Sequence, residues 1–135
     1  MLILHLQFAG AALIGLSLLH VAMPKRFAWP EELARLSLLN RQIFWVHTFF
    51  VALTVALMGV LLLFYPATLL ERSPLAKLVS TGLLIFWLAR VFVQLFVYSP
   101  ALWRGKPFET FVHIVFSLFW LYLVGVLACV LILIW

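Results

Sequence analysis

Charge is what this 135-residue chain has least of: 10% of its residues are Asp, Glu, Lys or Arg, against 67% that are hydrophobic. A soluble domain carries about 25% charged residues. A chain this poor in charge could not cover its own core with polar surface, so the surplus apolar surface must face lipid and an integral membrane protein is expected. Cysteine is nearly absent too. Cys129 stands alone in an apolar run, which excludes an intramolecular disulfide framework and a CxxC redox pair, and leaves it as a small packing residue. No HxxxH or HxxH pair exists, so any histidine-bound metal would need one ligand from each of several helices. A di-iron membrane oxygenase would need more histidines than the four present. His113 and Ser117 share a helix face, but no third group orients the histidine as a catalytic triad requires. Proline interrupts none of the apolar runs and no inverted repeat is visible, which argues against a self-contained transporter. The formal charge of +5 does not point to nucleic acid, because the basic residues are confined to short loops and mixed with acids.

What is present is four apolar runs, at roughly 2–23, 42–65, 75–98 and 108–134, each near the ~20 residues that a spanning helix needs. Their ends carry helix punctuation. Pro24 follows the first and Tyr65-Pro66 closes the second. Ser73-Pro74 and Lys106-Pro107 open the third and fourth, with Glu109 in a first turn that favours a negative charge. The first run lacks a basic leading region and a small-x-small cleavage site, so it reads as a retained helix rather than a signal peptide. The expected fold is all-α: one domain over 1–135, a four-helix membrane bundle running up-down-up-down. Between the first two spans, Leu33, Leu36 and Leu39 recur at helical spacing after Pro30-Glu31-Glu32, which predicts a short amphipathic helix at the interface over Trp29–Asn40.

The two loops on one side of the membrane hold Lys25, Arg26, Arg35, Arg41, Arg104 and Lys106, and the other side holds only Arg72 and Lys77. The positive-inside rule then places loops 24–41 and 99–107 in the cytoplasm and both termini outside, as in a bacterial inner membrane with periplasmic termini. Trp29, Trp45, Tyr65, Tyr98, Trp103 and Trp135 fall near the expected interfaces, as an aromatic belt would.

The informative residues are polar ones at membrane depth. His20 lies shortly before Pro24, His47 and His113 lie a similar distance inside the second and fourth runs, and Arg90 and Gln94 occupy the last third of the third. All five fall toward the cytoplasmic face. An ionisable group in hydrocarbon costs about 2.5–3.5 kcal/mol on insertion scales, which makes a gathering of them a functional-site hypothesis. Periodicity adds a shared face. Gln7, Gly10, Ser17 and His20 form one stripe, and Asn40, His47 and Thr54 a second. Trp87, Arg90, Gln94 and Tyr98 form a third, and Glu109, His113, Ser117 and Trp120 a fourth. Lipid offers polar groups no partners, so such stripes are expected to turn inward. His5, near the opposite end, reads as a headgroup contact.

Several occupants suit this set. A b-type haem on His47 and His113, with His20 in reserve and Arg90 and Arg41 at the propionates, would imply a redox or electron-transfer role. A transition metal on His20, His47 and His113, with Glu109, is a second. A lipid or quinone headgroup on Arg90 and Arg41, with Gln94, Asn40, Tyr98 and Glu109 around it, is a third, since arginine pairs with phosphate and histidine moves protons near neutral pH. Finally, the chain could be an accessory subunit of a larger membrane complex or a homo-oligomer, its polar core only fixing helix register. Whether it is an enzyme stays open. The orientation is directly testable: a cysteine placed in loop 99–107 is expected to react with a membrane-impermeant thiol reagent only from the cytoplasmic side, and labelling from the periplasm would invert the topology.

Overall fold

The computed structural model describes all 135 residues. Every regular element is helical. In chain order these are α1 (Leu2–Leu19), α2 (Met23–Arg26), α3 (Trp29–Leu33), α4 (Leu38–Phe64), α5 (Pro66–Leu69), α6 (Pro74–Phe92) and α7 (Pro107–Ile134). A π-helical turn, Val93–Val97, extends α6, and a 3-10 turn, Pro100–Leu102, precedes α7. Four of the helices, α1, α4, α6 with its π turn, and α7, are long and apolar enough to cross a membrane.

The helix ends obey local chemistry. Ser73 caps α6 by accepting from the Ala76 N–H at 3.1 Å, with Pro74 at the first helical position. Pro107 opens α7, with Glu109 in its first turn. Two boundaries differ from the sequence expectation. α1 stops at Leu19, where His20 takes the C-cap and the chain tightens into turns such as Val21 N–H to Leu18 O at 3.1 Å. Pro24 therefore falls in a separate short helix and does not end α1. α4 starts at Leu38 rather than near residue 42, because the Ser37 hydroxyl accepts the Asn40 N–H at 3.4 Å and caps it there.

That cap also divides the expected Trp29–Asn40 helix. Helix α3 covers only Trp29–Leu33, with Ala28 before it at a left-handed φ of 49°. Leu33 is buried, whereas Leu36 and Leu39 are exposed and Leu39 already belongs to α4. Instead of a continuous leucine stripe, the segment docks through Trp29, whose ring meets Phe44 edge-on at 4.9 Å and Trp45 at 6.0 Å.

Packing divides the chain after Pro66 into two compact units. In the first, α1 lies on α4 at backbone distance. A Cβ added to Gly10 would stand 2.5 Å from the Leu63 nitrogen and 2.6 Å from the Gly59 oxygen, and one on Gly59 would stand 2.8 Å from the Gly10 oxygen. Seven residues on in α1 and seven back in α4, the Ser17 hydroxyl donates to the Ala52 carbonyl at 2.8 Å. Small residues admit this approach, which gains dispersion contacts where no hydrophobic effect drives helices together. In the second unit, α6 and α7 bury Leu83 and Trp87 from one helix and Trp120, Leu123 and Leu127 from the other. Lys77 Nζ sits 4.5 Å from the Trp135 ring at one end.

Gly10→Ala is expected to lower stability, since a methyl group there meets backbone that cannot move aside, and over-packing of this kind costs about 1–3 kcal/mol. Gly15→Ala, which enters open space, serves as the control. Thermal unfolding in detergent reads the difference, and equal midpoints for the two variants would contradict the close crossing.

Candidate functional site

The residues expected to form one pocket are distributed over both units. In the first unit, His20 is half-buried at the end of α1, and its Nδ1 donates to the Leu16 carbonyl at 3.0 Å. His47 is exposed on α4, its Nδ1 donating to the Ile43 carbonyl at 2.9 Å. Asn40 is exposed and Arg41 half-buried, both in the first turn of α4. The polar line of this helix, Asn40, His47 and Thr54, is exposed throughout, while the buried line runs through Val55, Gly59 and Leu62. At 100° per residue the two lie about a quarter-turn apart. Two effects explain the difference from the inward stripe. The glycine crossing fixes the rotation of α4, and side chains such as His47 and Thr48 satisfy themselves on their own helix, Thr48 through a 2.9 Å bond to the Phe44 carbonyl.

In the second unit Gln94 meets His113, and Arg90 meets Tyr98. The Gln94 amide nitrogen donates to His113 Nδ1 at 2.9 Å, joining the π turn to α7. Gln94 is 5% exposed. The π geometry, closed by the Tyr98 N–H to the Val93 carbonyl at 3.3 Å, inserts an extra residue into the turn and rotates the residues beyond it. Tyr98, expected on the same line as Arg90 and Gln94, is therefore exposed, although its ring still lies 5.6 Å from the Arg90 guanidinium carbon. Glu109 is half-buried one turn before His113.

Trp103 completes this part of the site, although its position in the sequence suggested only the aromatic belt. Its ring stacks on His113 with centroids 4.5 Å apart and planes 9° from parallel. Thr110 anchors it by donating to the Trp103 carbonyl at 2.6 Å. Only the bracketing breaks Ser99-Pro100 and Lys106-Pro107 hinted at a loop short enough to fold back onto α7.

Arg90 occupies the last turn of α6, where the helix dipole favours a cation. Its guanidinium carbon stands 5.0 Å from the ring of Trp120, which in turn stacks on Trp87 at 5.0 Å and 16°. Trp87 and Trp120 are 1% and 3% exposed. Cation–π contact supplies about 0.5–2 kcal/mol and the dipole about 0.3–1, together comparable with the insertion cost of the charge. The rings leave the hydrogen-bonding capacity unmet. Arg90 Nη1 and the indole nitrogens of Trp87, Trp103 and Trp120 are sealed from solvent with no partner, and each such donor costs about 1–3 kcal/mol. Neither acidic side chain of this unit, Glu71 or Glu109, reaches Nη1. The site is thus rich in donors, poor in acceptors and positively charged.

No group of three or more His, Cys, Asp or Glu side chains is gathered closely enough to hold a metal ion. Within the first unit His20 and His47 are turned onto their own helices, and within the second His113 is turned onto Gln94. For haem, an axial imidazole must offer an unprotonated nitrogen, and His113 has its Nδ1 engaged by Gln94. No protein-family model, curated protein or solved structure matches this chain.

Proposed function

We propose that this is a bacterial inner-membrane protein, its four helices crossing in alternating directions with both termini periplasmic, and that it binds an amphiphile whose oxygen-bearing headgroup rests on Arg90 and its neighbours. The orientation rests on the excess of basic residues in loops 24–41 and 99–107. The observation that carries the binding reading is the set of partnerless donors at Arg90 Nη1, Trp87, Trp103 and Trp120. An acceptor-rich headgroup would supply the partners such donors lack once the side chains that seal them shift, and its tails would meet the apolar flanks of α6 and α7. Gln94 and His113 would form a polar wall beside it and Tyr98 its edge.

Binding is favoured over catalysis, because the nitrogen of His113 that could accept a proton is engaged by Gln94. The haem and metal readings draw less support, since the histidines face their own helices or Gln94. An accessory subunit with a merely register-fixing core would leave the buried donors without a purpose.

Native mass spectrometry of protein purified in mild detergent tests the reading. An amphiphile is expected to co-purify with the wild type, to fall at least tenfold in occupancy in Arg90→Ala, and to persist in His47→Ala. A Soret band lost in both His47→Ala and His113→Ala would overturn it in favour of haem.

A further inference from the structure

Resting on that reading, we infer that the Arg90 site selects a phosphate ester over a neutral carbonyl headgroup such as a quinone. The two classes make different demands on hydrogen bonding. A quinone presents two acceptors, but its reduced form presents two hydroxyl donors, and a site that serves the cycle needs groups able to accept as well as donate. Here the orphaned nitrogens are donors: Arg90 Nη1 and the indole nitrogens of Trp87, Trp103 and Trp120 have no partner. A phosphate ester only accepts, with lone pairs enough for several donors, and arginine matches its geometry.

Charge points the same way. Arg90 has aromatic faces against it, Trp120 at 5.0 Å and Tyr98 at 5.6 Å, and no carboxylate on its buried nitrogen. A neutral headgroup would leave that cation without a counter-ion at membrane depth, whereas an oxyanion neutralises it and pairs the N–H in one contact. The phosphate could belong to a lipid of the inner leaflet or be free in solution, so the test includes both.

The full chain in maltoside micelles is titrated with short-chain phosphatidic acid, decylubiquinone and inorganic phosphate, with tryptophan fluorescence as the readout. Phosphatidic acid is expected to bind at least tenfold more tightly than decylubiquinone, and Arg90→Gln to remove that preference. Trp103→Phe keeps the stack on His113 but loses one N–H, and is expected to weaken phosphatidic acid severalfold, so the inference survives an unfolded Arg90 variant. Displacement of phosphatidic acid by millimolar inorganic phosphate would support the oxyanion chemistry with a soluble source. Tighter binding of decylubiquinone would overturn this inference while leaving the amphiphile reading intact. Binding of none of the three would overturn both.

Discussion

The helix pair α6–α7 is organised around one cation that its surroundings can stabilise but not satisfy. Arg90 lies over the Trp120 ring, which stacks on Trp87, and these faces together with the C-terminal dipole of α6 make its charge tolerable among apolar side chains. They provide no acceptor. The indole nitrogens of Trp87, Trp103 and Trp120 are further unmet donors in the same unit. Native proteins pair the great majority of their buried polar groups, so a cluster of orphans is more informative than any one of them. One turn further, the chain solves a similar problem internally: Gln94 pairs with His113, and Trp103 covers the imidazole. Satisfied and unsatisfied polar groups thus occur within the same helix pair.

The first unit obeys the same constraint by other means. There Gly10 and Gly59 bring backbones together and Ser17 donates across to Ala52, while His20, His47 and Thr48 turn onto carbonyls of their own helices. None of these side chains needs an outside partner. The buried side-chain polar atoms without a partner therefore all lie in residues 67–135.

Much of this was legible in the sequence. Four runs of sufficient apolar length dictate the four long helices, and the spacing of Trp87, Arg90 and Gln94 against His113, Ser117 and Trp120 announced facing stripes. Two kinds of feature were not legible. One is rotation: the polar line Asn40–His47–Thr54 looked inward only on the assumption that polar side chains need neighbours, and that assumption fails where a histidine or threonine bonds back by one turn. The other is irregular backbone. Nothing in Val93–Val97 signals a π turn, and the return of Trp103 onto His113 depends on tertiary packing that has no periodicity to read. The Ser37 cap was visible as a residue type, but it competed with a leucine spacing that suggested a continuous helix.

If the buried donors around Arg90 are completed by something outside the chain, an experimental structure of the protein purified with its native lipids reveals it most directly. The expected result is non-protein density within hydrogen-bond distance of Arg90 Nη1, continuous with an acyl chain or centred as a phosphate. Arg90 paired with one of the chain's own carboxylates, or turned out to the headgroup region with its indole neighbours hydrogen-bonded internally, would contradict it.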